Sequence, residues 1–258
     1  ARTVHALRVL EGRRDGWTLE ALLAAAYDRD LPAFDVLIPA LVAAWEAAPV
    51  GDPLKVKVAD EVAALKAWDR RWSADSAATS LAVFWADALL AKTPRGRSGS
   101  LALIEAMAAR PAPERLAALA EASARLTADF GRWRTPWGEI NRFQRLTGDI
   151  VQTFRDDAPS VAVPFTSAAW GSLASFGARR YPGTKRYYGT SGNSFVAVVE
   201  FGDKVRAVAV SVGGESGDPA SPHFYDQAER YASGQLREVY FYSEQLNGHT
   251  ERTYRPGE

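Results

Sequence analysis

Cysteine is absent from all 258 residues. Its absence excludes disulfide staples, thiolate nucleophiles and every zinc site that needs sulfur. It fixes no compartment, because a chain of this length can bury a large core without disulfides even in an oxidising space. Histidine is scarce as well, with His5, His223 and His249 the whole supply. No two stand at i, i+4 and H-E-x-x-H does not occur, so no histidine-built metal site is expected. No EF-hand loop is present either. An excess of either charge is also missing, since Lys+Arg and Asp+Glu both number 31. A neutral chain lacks the basic footprint that a nucleic acid partner requires. No apolar run reaches 18 residues, so no membrane span is expected.

What is present is an ordinary globular composition, 47% hydrophobic and 24% charged, with eight Trp, nine Tyr and eleven Phe to fill a core. The first residue is Ala1, and no charged segment followed by an apolar one reads as a signal peptide. Val4, Leu7 and Leu10 already fall at helical spacing. The chain is therefore expected to begin inside a helix with no cap before it, as a processed or trimmed chain would.

Ala and Leu dominate the first part; between about 130 and 150, Gly, Ser, Tyr and Val take over. Thr18 is a plausible N-cap for a helix running to about Tyr27. Leu31, Phe34, Ile38, Leu41, Val42 and Trp45 keep an i, i+3/i+4 rhythm. Val58, Val62 and Leu65 mark a further helix, and Leu81 to Leu90 another. Pro94 to Ser100 reads as an exposed loop. Leu101 to Ala109 and Glu114 to Phe130 complete the helices, the last opened by Pro113. Phe195–Phe201 and Val205–Val212, joined by Gly202-Asp203-Lys204, predict a hairpin. Both strands are apolar on both faces, so covering layers are expected on each side. Leu236–Tyr242 is a third strand candidate. Helices first and strands later argue for an α+β fold, with a helical portion 1–135 and a β-rich portion 136–258.

Several constellations invite chemistry. Arg132 to Arg145 interleaves arginines with Trp133, Trp137 and Phe143, a pattern that could stack on single-stranded nucleic acid. With zero net charge the expected reading is arginines capping a loop over inward-packed aromatics. Ser221, His223 and Asp226 are too close in sequence, with Pro222 stiffening them, to converge as a triad; local bonding at a turn is expected. Ser216 sits in G-G-E-S-G, where Asp218 replaces the glycine that a nucleophile elbow needs. Gly189-x-x-Gly192 is expected to be a bend rather than a phosphate cradle. No complete catalytic set lies within these residues.

The run Gly213-Gly-Glu-Ser-Gly-Asp-Pro-Ala-Ser-Pro-His-Phe-Tyr-Asp-Gln227, followed by Tyr231, Gly234 and Val239-Tyr-Phe241, resembles the tail of the penicillin amidase family. The hairpin opened by Gly192-Asn-Ser194 is similar too. Trp137-Gly-Glu-Ile-Asn-Arg-Phe-Gln-Arg145 resembles a segment of the branch that includes acyl-homoserine-lactone and aculeacin-type acylases. In the helical half, Trp17-Thr-Leu-Glu20, Leu37-Ile-Pro39 and Ala67-Trp-Asp69 follow the family's order, so the resemblance covers nearly the whole chain.

The resemblance implies the carboxy-terminal half of the large subunit of an N-terminal-nucleophile hydrolase, part of an αββα four-layer sandwich that matures by autoproteolysis. An amino-terminal Ser would attack an amide carbonyl with its own α-amino group as base and no cofactor. Both that Ser and the oxyanion Asn would lie upstream of Ala1. Of the family's site, Arg2 alone is matched, as the arginine that supports the nucleophile. Implied partners are the rest of the large subunit, a small α subunit and a small N-acyl substrate such as an acyl-homoserine lactone, a lipopeptide or a β-lactam. The implied setting is periplasmic or secreted, in antibiotic biosynthesis or quorum quenching. The isolated chain would be inactive. A catalytically inactive binding or assembly module on the same framework is the alternative.

Overall fold

The structure, a computed structural model, describes residues 1–94, 100–255 and 257. Most of the expected loop between Pro94 and Ser100 lies outside the described residues. No helix among them is long and apolar enough to cross a membrane.

Among the described residues, eight helices precede residue 131: α1 (Arg2–Gly12), α2 (Leu19–Ala26), α3 (Ala33–Ala47), α4 (Pro53–Lys57), α5 (Ala59–Ala67), α6 (Ala77–Ala91), α7 (Ser100–Ala108) and α8 (Ala112–Phe130). Their ends follow ordinary capping chemistry. The Thr18 hydroxyl accepts from Ala21 N at 3.1 Å, as the sequence predicts, and the Ser76 hydroxyl accepts from Thr79 N at 3.0 Å. α8 opens on a proline turn and ends at Gly131, whose left-handed φ of 81° suits a residue without Cβ. α1 starts without a side-chain cap.

α6 is buried almost all round from Thr79 to Ala86, as a central helix must be when both flanks are apolar. It packs on α8, while α3 packs on α7 and α8. Burying Leu37, Leu41, Leu81, Trp85, Leu119 and Leu126 here contributes about 2 kcal/mol per side chain.

A short helix α9 (Trp137–Ile140) leads into the strands β1 (Asn141–Phe143), β2 (Val161–Ala162), β3 (Phe176–Arg180), β4 (Tyr187–Gly192), β5 (Phe195–Glu200), β6 (Arg206–Ser211) and β7 (Arg237–Glu238); α10 (Ala228–Ser233) lies between the last two. The α+β class expected from the sequence is the class observed. One sheet has the order β2-β1-β4-β3, with β1 parallel to β4; the other is β5-β6-β7 and antiparallel.

The strands correct the sequence reading in three places. Gly189 to Gly192 forms the last four residues of β4, not a bend. A Cβ at Gly189 would lie 2.1 Å from the tip of the Phe176 ring, so glycine lets that ring lie flat against the strand. The third strand candidate shrinks from Leu236–Tyr242 to Arg237–Glu238, because Tyr242 instead caps a turn at Ser243–Leu246. β5 is covered on one face rather than two, while on β6 Ala209, on the same face as Phe195 and Ala197, is buried. Val198 and Val210 point into the core, whereas Phe195, Ala197 and Val199 on the opposite face of β5 are exposed.

Phe165 joins the helical and β-rich parts. Its ring meets Tyr27 at 5.9 Å, Trp72 at 5.8 Å, Phe176 at 6.3 Å and Tyr231 at 5.2 Å, mostly edge to face.

Candidate functional site

The segments that carry the family resemblance hold the fold in place. The Trp137 and Gly138 amides donate to Ser76 O and Ala74 O at 3.2 and 2.7 Å. Asn141 is fully buried, and its Nδ2 donates to Val163 O at 2.7 Å and Phe165 O at 3.0 Å. Arg142 returns to Gly138 O at 2.8 Å and to the Ser160 hydroxyl at 2.9 Å. Arg132 pairs with Glu139 at 2.7 Å, Arg134 covers the Trp133 ring at 4.0 Å, and Arg145 covers Phe224 at 4.0 Å. Trp137 and Phe143 are buried. These arginines therefore cap a loop over inward-packed aromatics, and the ring faces are not offered to bases.

The tail run closes on itself in the same way. Gln227 accepts from Ser211 N at 2.9 Å and donates to Glu215 at 3.0 Å, while its backbone N–H donates to Gly213 O at 2.9 Å. Glu215 also accepts from the Ser211 hydroxyl and from Arg237, at 3.0 and 2.9 Å. These bonds, that from Gln227 first, hold its carboxyl below the usual carboxylate range. A Cβ at Gly214 would sit 2.2 Å from His223 O, so no side chain fits there. Ser221 caps the turn at Pro222–Phe224 by accepting from His223 N at 3.2 Å. His223 lies between Asp226 and Glu251, at 2.9 and 3.0 Å. The Ser216 hydroxyl accepts from Asp218 N at 3.1 Å. Neither serine is brought to a general base, so the triad and elbow patterns are structural turns.

Beside this loop lies a cleft of about 700 Å³, walled by β4, by Phe143 to Arg145, by Asp149 to Phe154 and by Asn193 to Gly214 in part. Tyr231 reaches its wall too. The hydroxyl of Tyr231 is buried without a partner, and burial pushes its pKa upward, so it keeps its proton.

Arg2 is tied to this cleft. Its guanidinium donates to Leu173 O at 2.8 Å and to the Asn193 side-chain oxygen at 3.3 Å. That same oxygen accepts from Ser175 N at 2.8 Å, and Asn193 N donates to Ser175 O at 2.9 Å. Gly192 makes the turn with φ 126°, where a Cβ would lie 2.1 Å from Ser175 O. The sequence marked Asn193 as a hairpin opener and missed its role as the acceptor that receives Arg2. Only its position after a left-handed glycine could have drawn attention to it.

α1 is anchored one turn further on. His5 is fully buried, with Nδ1 at 2.8 Å from Gly171 O and Nε2 at 3.0 Å from Asp28. His5, Asp28 and Asp30 bring three metal-type donor atoms within 4.8 Å of one another, a grouping the sequence spacing did not suggest. The cation beside these carboxylates is Arg71, bonded to Asp30 and 3.6 Å from Asp28. The cluster is thus a clamp in which Arg71 pairs with both carboxylates.

The sequence matches the penicillin amidase family over residues 1–248. The chain belongs to that family. Among solved structures it is similar to the thermostable penicillin G acylase from Alcaligenes faecalis, with 15% identity and a TM-score of 0.48 over 97% of this chain and 51% of that one. The chain spans about half the length of that relative.

Proposed function

We propose that this chain is the carboxy-terminal half of the nucleophile-bearing subunit of an acylase-type amide hydrolase, and that Arg2 supports the catalytic serine. The observation that carries the proposal is the hydrogen-bonded position of Arg2 against Asn193, on the wall of the large cleft. In this reading an amino-terminal serine from outside the chain attacks an N-acyl amide. Arg2 orients it and its polar neighbours, while the oxyanion donors come from the missing half. The chain forms part of the four-layer αββα sandwich, and its partners are the rest of its own subunit and a small α subunit.

Two further observations support this. The family match runs over nearly all of this chain. The uncovered face of β5, with Phe195 60% and Val199 42% exposed, is the apolar surface a missing layer would bury. The substrate is an N-acyl amide such as an acyl-homoserine lactone, a lipopeptide or a β-lactam, met in the periplasm or outside the cell.

The test is release of free amine from those three substrate classes, measured for a full-length parent and for the 258-residue chain in parallel. The parent should hydrolyse at least one class after self-cleavage to a chain starting with Ser, and the shorter chain none. Turnover by the pure shorter chain, undiminished when trace parent is removed, would overturn the proposal.

A further inference from the structure

Arg2 and His5 stand one turn apart on the same face of α1, about 4.5 Å along the helix axis. Both grip the same stretch of backbone. His5 Nδ1 lies 2.8 Å from Gly171 O, and the Arg2 guanidinium donates to Leu173 O at 2.8 Å. That stretch is itself fixed. Gly171 has φ 109°, and a Cβ there would lie 2.4 Å from the ring of Pro32, the residue that opens α3.

Little else seats α1. Among its described residues His5 alone is buried, at 0% exposure, while Leu7 and Leu10 are half-exposed. Ala1, just before the helix, adds one methyl to the core. The pair formed by Arg8 and Asp35 at 2.7 Å lies in solvent, where such pairs hold weakly. The seating of α1, and with it the aim of Arg2, therefore falls to His5.

The His5 ring is pinned at both ends. A carbonyl oxygen only accepts, so Nδ1 donates to Gly171 O. Nε2 faces the Asp28 carboxylate at 3.0 Å, and the other partners of that carboxylate are donors as well. Asp30 N bonds the same oxygen at 3.0 Å, and Arg71 stands 3.6 Å from the second. Both ring nitrogens thus act as donors. Asn at this position keeps the donor facing Gly171 and loses the one facing Asp28.

We propose that His5 is a positioning residue that acts through Arg2. It sets the height and rotation of α1 against the Gly171–Leu173 backbone, so that the guanidinium meets the Asn193 side-chain oxygen. Its effect on turnover rests on the role proposed above for Arg2; its effect on the contact between Arg2 and Asn193 does not.

Two double-mutant cycles test this. In the 258-residue chain the readout is the Ser175 amide resonance, because Ser175 N shares the Asn193 oxygen with Arg2. Arg2→Ala should shift it, and His5→Phe should shift it the same way by at least half as much. Adding His5→Phe to Arg2→Ala should move it no further. In the self-processed parent the readouts are kcat and KM for octanoyl-homoserine lactone or penicillin G, whichever it turns over. His5→Phe should lower kcat at least tenfold with KM within twofold, and His5→Asn should recover at least threefold. In an Arg2→Ala background neither should change kcat more than twofold. A Ser175 resonance unmoved by His5→Phe, or kcat losses that multiply in the double variant, would make His5 a packing residue and overturn the proposal. If His5→Phe does not fold, His5→Asn goes through both cycles on the same criteria. Coupled Ser175 shifts with an unchanged kcat in Arg2→Ala would support the positioning role and count against the acylase reading alone.

Discussion

Arg2 and Asn193 are 191 residues apart in sequence and joined by a 3.3 Å hydrogen bond. The bond ties the first turn of α1 to the link between the two sheets. Because Ser175 N shares the same acceptor, the Arg2 guanidinium is held against a fixed point rather than a mobile side chain. Its own exposure means that little packing depends on it. Function and stability should therefore separate at this residue.

Gln227 holds a buried position where Ser211 N and Glu215 meet. Gln227→Ala should lower unfolding stability by about 1–3 kcal/mol, since it strands a backbone donor. A urea midpoint shift with unchanged slope is the expected result. Glu215→Gln should cost less, because its carboxylate is half-exposed.

Phe165 should be the costliest single truncation of the aromatic junction. Replacing it with Ala opens a void among Tyr27, Trp72, Phe176 and Tyr231, which predicts a loss of about 3–5 kcal/mol. Thermal or urea unfolding measures it directly.

Asp87 should make stability depend on pH. Its folded-state pKa, about 7, lies above the ordinary aspartate value, so the folded state binds the proton more tightly. The contribution is present at low pH and lost as pH rises towards and through 7. Between pH 5.5 and 8 the wild type should lose on the order of 1 kcal/mol relative to Asp87→Asn, after allowance for partial solvent access. Parallel urea titrations of the two proteins give the difference.

His223 predicts a change confined to the tail. Its pKa is raised by Asp226 first and Glu251 second. The clamp on Glu251 should hold below the ordinary histidine range and release as pH rises through the elevated value. Limited proteolysis after residue 246 should accelerate over that window, and His223→Gln should remove the pH dependence.

The helices were legible because their apolar residues repeat at 3.6 and, at Thr18, the cap is chemically plain. β3 and β4 were not. Phe176-Gly-Ala-Arg-Arg180 and Tyr187-Tyr-Gly-Thr-Ser-Gly192 carry few β-branched residues, and their glycines exist to admit the Phe176 ring and the turn at Ser175. Their pairing with β1 is set by distant contacts that no local pattern records. The hairpin was found but its surroundings were misjudged, since apolar residues on both faces describe what a strand can bury, not what lies over it in this chain. Of the candidate site, Arg2 was visible through resemblance alone. Asn193, the cleft and the orphaned Tyr231 hydroxyl depend on segments that meet only in the folded chain.

The most direct test of the central claim compares Arg2→Ala and Arg2→Lys with wild type in a self-processed full-length parent, reading kcat and Tm together. The account predicts that Arg2→Ala lowers kcat at least a hundredfold, about 3 kcal/mol of transition-state stabilisation, with Tm within about 2 °C of wild type and partial recovery in Arg2→Lys. An unchanged kcat, or a loss of activity that only follows a matching fall in Tm, would contradict it.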